Sequence, residues 1–124
     1  MLWVIDAGNT HTRVARWDGT SWASIQTVET DSRLEVDRTS FWPVAISSVV
    51  PRAKPDLTRL AAELGDPAPF WLTPESQECL EIAYETPSTL GTDRLANAIA
   101  LAELAGPYSG CIDAGTATKI DVLD

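Results

Sequence analysis

The chain has 124 residues, of which 44% are hydrophobic and 22% charged, and its formal net charge is −9. This length fits one domain with a hydrophobic core of its own. Because an acidic protein is not drawn to phosphate backbones or to anionic lipid by long-range attraction, the charge argues against nucleic acid and membrane surfaces as partners. No run approaches the roughly 20 apolar residues that cross a bilayer, and the N-terminus lacks the basic start of a signal peptide.

Cys79 and Cys111 are the only cysteines, and they form no C-x-x-C motif. One disulfide between them is possible, but small secreted domains usually carry more than one. A reduced, cytoplasmic protein is therefore expected. Cys111 is expected to be an inert thiol in a buried strand.

The first thirty residues predict three antiparallel strands. Short apolar or alternating runs are separated by turn signals at Gly8 and at Gly19, which is the pattern typical of hairpins. Residues 31–38 are charged and fit either a short helix or a loop. The three predicted strands are residues 2–6, 12–17 and 21–28.

Further along the chain, strands and helices alternate. One helical face is indicated by apolar residues at i, i+3, i+4 and i+7 from Leu57 to Leu64, with Gly65 as the stop. Residues 92–105 are good helix formers without an interior Gly or Pro. Apolar runs predict strands at residues 43–50, 70–72 and 110–113. This order predicts a ribonuclease-H-like α/β fold, a mixed sheet flanked by helices.

An internal repeat is the most informative feature of the sequence. Residues 5–14 (IDAGNTHTRV) are matched by residues 112–120 (IDAGTATKI), which are one residue shorter. Two like elements this far apart indicate a duplicated unit. We therefore expect one ribonuclease-H-like lobe in residues 1–108 and the opening hairpin of a second, truncated lobe in residues 109–124.

Each copy of the repeat carries groups that could bind a nucleotide. The glycine lets backbone N–H groups approach phosphate oxygens closely. The carboxylate of Asp6 or Asp113 can hold Mg²⁺ directly or through water, and Thr10 and Thr116 add hydroxyl donors. Taken alone, either copy also fits an ordinary hairpin turn. The chain contains no P-loop and no Rossmann motif.

A third group of polar residues opens the helix predicted at residue 92. Asp93 and Asn97 are four residues apart, so both lie on the side of the helix that also carries Arg94. In the functional interpretation, Asp93 accepts a proton from a substrate hydroxyl and Arg94 pairs with a substrate anion. In the plainer one, Asp93 is there because an acid is favourable near a helix N-terminus.

Together these motifs resemble one family, the type III pantothenate kinases, which belong with the sugar kinases and the actin-like ATPases. The matching segments occur in the order that the family has and spread over the whole chain. They are residues 6–10, 47–51, 84–97 and 113–118.

The resemblance implies ATP-dependent phosphorylation of pantothenate, the first step of coenzyme A synthesis. It implies that Asp6 lies near Mg²⁺, that Asp93 is the catalytic base, and that Asp113 holds a monovalent cation, K⁺ or NH₄⁺. The residues it assigns to ATP and its phosphates are Asp6, Gly8, Asn9, Thr10, Arg13, Gly115 and Thr116. The residues it assigns to pantothenate are Tyr84, Gly91, Thr92, Asp93 and Arg94.

Two residues and the length depart from the family's pattern. Arg13 stands where Lys is usual, and Lys119 stands where Thr is usual. Family members are longer and form dimers with the pantothenate site near the subunit interface. We therefore expect a kinase subunit or fragment that needs a complementary chain, a homodimer partner or both. The rival hypothesis is a non-catalytic binding or regulatory protein that keeps the fold.

Overall fold

The first unit of the structure, Met1–Leu72, is built around a strand at Leu2–Ala7 that buries every second side chain. A computed structural model describes residues 1–32, 34–36 and 41–124. Part of the charged segment 31–38 lies outside the described residues, and residues 34–36 form neither helix nor strand. The elements of this unit are β1 (Leu2–Ala7), β2 (His11–Trp17), β3 (Trp22–Glu29), β4 (Val44–Ser48), α1 (Lys54–Glu63) and β5 (Phe70–Trp71).

The five strands form one mixed sheet in the order β3-β2-β1-β4-β5. The pairs β1–β2 and β2–β3 are antiparallel, whereas β1–β4 and β4–β5 are parallel. Since a parallel pair needs a crossover, α1 connects β4 to β5. The predicted α/β arrangement is confirmed, and it is compatible with a lobe of the actin-like ATPases.

The core of this unit lies between one face of the sheet and α1. Trp3, Ile5 and Ala7 of β1 are buried on that face, in one cluster with the apolar side of the helix. The predicted helical face is confirmed, because Leu57, Leu60, Ala61 and Leu64 are all buried. Burial of this area is the main force that holds β1 in place, and β1 carries the first copy of the repeat.

The second unit, Thr73–Asp124, contains one helix and one hairpin. The helix covers the predicted residues and ends where Gly106 has a positive φ of 74°. Its elements are a 3₁₀ turn (Pro87–Thr89), α2 (Thr92–Ala105), β6 (Gly110–Ala114) and β7 (Thr118–Val122). The predicted boundary between lobes at residue 108 stays a prediction.

The expectation that Cys111 lies in a buried strand is wrong. Strand β6 alternates between exposed and partly buried residues, and Cys111 is only partly buried. The neighbouring Ile112 is 71% exposed, because its face of the hairpin is not covered by the described residues. No described helix is both long enough and apolar enough to span a bilayer.

Two glycines with positive φ differ in what surrounds them, which allows a matched test of the loop after α1. Gly19 (φ 105°) has open space where a Cβ would go, whereas a Cβ on Gly65 (φ 96°) would fall on the Phe41 ring. We expect Gly19→Ala to lower the free energy of unfolding by about 1–2 kcal/mol, since left-handed backbone disfavours a Cβ. Gly65→Ala should cost more, because Phe41 must also move; equal urea midpoints for the two variants would contradict this.

Candidate functional site

The two copies of the repeat fold into hairpins with the same cross-strand pairing. In the first hairpin Asp6 is opposite Arg13, and in the second Asp113 is opposite Lys119. In both turns a glycine N–H closes the loop: Gly8 donates to the His11 carbonyl at 2.9 Å, and Gly115 donates to the Ala117 carbonyl at 3.3 Å. Each hairpin therefore presents an acid and a base side by side where the strands end.

The turn at Gly8 is held by hydroxyl groups that the sequence analysis did not single out. Thr30 donates to the Gly8 carbonyl at 2.6 Å, and the buried Thr12 donates to the Thr30 hydroxyl at 3.2 Å. A Cβ on Gly8 would lie 3.2 Å from the His11 carbonyl oxygen, so this position is tight. A threonine at the end of a strand is common, so no local pattern marked Thr30 as a support for this turn.

Asp6 and Arg13 lie on the sheet face opposite α1. A guanidinium nitrogen of Arg13 is 3.8 Å from the Asp6 carboxylate, and both side chains are largely open to solvent, so the pair adds little stability. They border a shallow depression of about 190 Å³ whose other lining residues are apolar. Asn9 and Thr10 are exposed at the end of this hairpin.

A larger cleft of about 450 Å³ lies elsewhere in the first unit. It lies beside the end of β3 and α1 and is lined by Asp31, Arg52, Asp56 and Arg59 among others. Its charged residues pair with one another, Arg52 with Asp31 and Arg59 with Asp56. None of the predicted site residues lines this cleft.

In the second unit, Asp93 at the start of α2 has both carboxylate oxygens engaged. One oxygen accepts a hydrogen bond from the Arg94 backbone N–H at 2.8 Å, and the other accepts one from the Lys119 ammonium of β7. The N-cap of α2 is Gly91, and no side chain caps the helix there. The capping explanation for Asp93 is therefore incomplete, because this carboxylate reaches across to the hairpin.

Arg94 is held in a similar way by the residue two positions beyond Lys119. Its Nε donates to an Asp121 carboxylate oxygen at 2.7 Å, and its guanidinium lies 5.8 Å from the centre of the Tyr84 ring. The hydrogen bond to Asp121 raises the pKa of Arg94, so the guanidinium stays charged. The other Asp121 oxygen is buried and has no donor among the described residues.

The two faces of the β6–β7 hairpin have opposite character. Asp113, Lys119 and Asp121 share the partly buried face, which meets α2 through the two ion pairs. The apolar residues point the other way and are largely exposed. They are Ile112, Ile120 and Val122, at 71%, 64% and 73% exposure.

The second unit therefore brings together Tyr84, Asp93 and Arg94, all of which were predicted as site residues. Gly91 and Thr92 are partly buried at the start of the same helix, and Thr116 is exposed at the hairpin turn. Asp121 was missed by the sequence analysis. The signal that could have found it is its spacing of two from Lys119, because residues two apart on the second strand of the expected hairpin share one face.

The described residues contain no group of three or more His, Cys, Asp or Glu side chains that could form a metal site. A lone carboxylate such as Asp6 still fits Mg²⁺, because Mg²⁺ is often bound through one carboxylate together with substrate phosphates and water.

Comparison with known proteins identifies this arrangement of motifs. The family model for type III pantothenate kinase matches residues 2–124. The chain belongs to the type III pantothenate kinase family. Curated members named type III pantothenate kinase are 32% identical in Caulobacter vibrioides, 31% in Gluconobacter oxydans and 34% in Rhodospirillum centenum.

These kinase relatives are longer than the chain. The alignments cover 99–100% of the chain but only 52–54% of each relative. The chain spans about half the length of the curated relatives it matches. The family match nevertheless extends over the whole chain, from residue 2 to residue 124.

The ion pair between Arg94 and Asp121 allows a first test of the kinase-family site without any ligand. Asp121→Asn keeps the size of the side chain and removes its charge, so the partly buried Arg94 loses its partner. We expect the free energy of unfolding to fall by about 1–3 kcal/mol in urea titrations. Asp124→Asn, at an exposed position, is the control for loss of one negative charge. If both variants lowered the free energy of unfolding equally, the ion pair between Arg94 and Asp121 would not contribute to stability.

The Lys119–Asp93 pair makes a prediction about alkaline pH. The hydrogen bond to Asp93, with help from the charge of Asp113, raises the pKa of Lys119 above the ordinary 10.5, against burial and Arg94. A raised pKa means that stability from this pair is fully present below about pH 10.5 and is lost as pH rises through the folded-state pKa. We therefore expect wild type to be more stable than Lys119→Met at neutral pH and this advantage to shrink above pH 10.5 in urea titrations.

Lys54→Met is the matched control, since it removes the other lysine of the chain. The Lys54 ammonium lies 5.4 Å from the centre of the Trp71 ring, so this variant gives the baseline for loss of one lysine charge together with that contact. A difference between wild type and Lys119→Met that stayed constant through the strongly alkaline range would show that the ion pair does not form in solution.

Proposed function

We propose that this chain supplies the pantothenate-binding half of a type III pantothenate kinase. Such a kinase transfers the γ-phosphoryl group of ATP to the 4′-hydroxyl of pantothenate. The observation that carries the proposal is the placement of Asp93 and Arg94 at the start of α2. One is a carboxylate and the other a guanidinium, and each is held by a partner on β7. A substrate with a hydroxyl at one end and a carboxylate at the other, such as pantothenate, matches this pair of groups.

Asp93 acts as the general base in this proposal. The substrate hydroxyl oxygen forms the new bond to the γ-phosphorus, the bond from that phosphorus to the β–γ bridging oxygen breaks, and ADP leaves. The hydroxyl proton passes to Asp93. Phosphoryl transfer depends mostly on orientation and on late proton removal, so a carboxylate fixed by two hydrogen bonds suits the role.

Arg94 binds the carboxylate of pantothenate, because a guanidinium offers several donors in a fixed plane. Tyr84 flanks the guanidinium and is 46% exposed, so its ring is open to a ligand. Gly91 and Thr92 contribute backbone and hydroxyl groups beside them. Substrate binding therefore rests on residues of one unit, Thr73–Asp124.

The first hairpin contacts the phosphates of ATP in this proposal. Its tight turn at Gly8 and the exposed Asn9 and Thr10 offer N–H and hydroxyl donors, and Arg13 offers a positive charge. Asp6 would hold Mg²⁺, which neutralises phosphate charge when bound. Gly115 and Thr116 at the second hairpin are proposed as further contacts to ATP.

We further propose that a complementary segment covers the β6–β7 hairpin, so that the hairpin is the start of a second lobe at residues 109–124. The support is the apolar face formed by Ile112, Ile120 and Val122, whereas the polar face is turned toward α2. A sheet normally buries its apolar face. The matched relatives have about as much sequence again to supply that cover, on the same polypeptide or a second chain, and a homodimer partner is proposed as in the family.

One observation favours the rival function, a non-catalytic binding protein with the kinase fold. The Lys119 ammonium engages the carboxylate that would serve as the base. The rival function therefore predicts that the chain binds pantothenate but does not transfer phosphate. Turnover measurements separate the two functions.

The kinase proposal is tested by ADP release with ATP, Mg²⁺ and pantothenate. The chain is assayed alone, mixed with the C-terminal half of the Caulobacter vibrioides relative, and fused to that half. We expect pantothenate-dependent turnover in at least one arrangement. Asp93→Asn in the active arrangement should lower kcat by about 10²–10⁴-fold, because the proton acceptor is lost.

Glu103→Gln is the matched control, since it removes an exposed carboxylate from the same helix. It should leave kcat unchanged. Turnover that survives Asp93→Asn, or no turnover in any of the three arrangements, would contradict the kinase proposal. Calorimetric binding of pantothenate without turnover in all three would instead support the rival.

A further inference from the structure

Lys119 lies between two carboxylates that come from different elements of the second unit. Its ammonium donates to Asp93 of α2, and its position on β7 is directly opposite Asp113 of β6. The Lys119 and Asp93 side chains are 35% and 21% exposed, so the pair is shielded from solvent on most sides. The positive charge at this point is therefore built into the chain.

The first hairpin shows that this arrangement is not simply what the repeat dictates. There Arg13 pairs with the acid directly opposite, Asp6, and both remain largely exposed. In the second hairpin the corresponding base, Lys119, makes its ion pair with Asp93 of α2, and the cross-strand Asp113 acts on it only through its charge. Lys119 thus links the hairpin to the group proposed as the base.

The surroundings of Asp113 do not fit a bound monovalent cation, which the family resemblance placed there. A cation at Asp113 would meet the Lys119 ammonium on the opposite strand, and like charges repel strongly where water is partly excluded. Arg94 adds a second positive charge near Lys119, and this charge acts to lower the pKa of Lys119.

We propose that the Lys119 ammonium is a built-in cation that takes the place of a bound monovalent metal ion beside Asp93 and Asp113. Lys119 is thus a positioning residue, which balances the two carboxylates and fixes Asp93 for the acceptor hydroxyl. Only the expected effect of Lys119 on turnover rests on the proposed kinase function. The replacement of the metal ion itself is a property of the folded chain and can be measured without any substrate.

The first measurement is thermal unfolding in potassium chloride and in choline chloride at equal ionic strength. Wild type, Lys119→Arg and Lys54→Met all keep a cation at residue 119. Each of the three should therefore unfold at the same midpoint in potassium chloride as in choline chloride. Lys119→Met keeps the length of the side chain and removes the charge, which leaves Asp93 and Asp113 unbalanced. Its midpoint should be lower than that of wild type in choline and should rise specifically in potassium.

The second measurement is ADP release by the active arrangement described above, in the same two salts. Wild type should turn over at equal rates in both. Lys119→Met should be slowed by about tenfold or more in choline, because a charged hydrogen bond to the base is lost, and potassium should restore part of the rate. Lys119→Arg should retain most of the wild-type rate.

Three results would overturn the proposal. They are a wild-type midpoint or rate that depends on potassium, a Lys119→Met variant that responds alike to both salts, and a Lys119→Met variant that is faster than wild type, which would make Lys119 an inhibitory residue. If no arrangement turns over at all, the kinase function fails, yet the unfolding midpoints still decide whether Lys119 replaces the ion.

Discussion

Two neighbouring ion pairs between α2 and β7 are the constraint on which the candidate site depends. An acid followed by a base on the helix, Asp93 and Arg94, meets a base and an acid two residues apart on the strand, Lys119 and Asp121. Because strand side chains alternate between faces, a shift of β7 by one residue would turn both partners away at once. The register of a short hairpin therefore determines where the proposed base and the proposed anion-binding group stand.

The hairpin also separates two kinds of surface that serve different purposes. Its polar face supplies the partners of α2, and its apolar face, with Ile112 and Ile120, is left open by the described residues. A face of this kind is stable only when another apolar layer covers it. The length difference from the relatives and this open face are the two observations behind the covering segment proposed above.

Local patterns predicted the elements of the fold well. The bounds of α2 followed from helix-forming residues between Gly91 and Gly106, and the repeat predicted both hairpins. The structure added the register, which places each acid opposite a base. The contacts that organise the site were out of reach, since Arg94 and Asp121 are 27 residues apart and their meeting depends on how the hairpin packs on the helix. The exposure of the Cys111 strand was missed for a related reason, because an apolar run indicates burial only if something covers it.

The hydroxyl support beneath the Gly8 turn has a consequence for binding. Thr30, at the end of β3, locks the Gly8 carbonyl, so the loop takes its final shape as soon as the third strand docks. The entropy cost of ordering this loop is then part of the free energy of folding and not of the free energy of anion binding. If a phosphate group binds at this loop as proposed, its binding should therefore require little further ordering of the backbone.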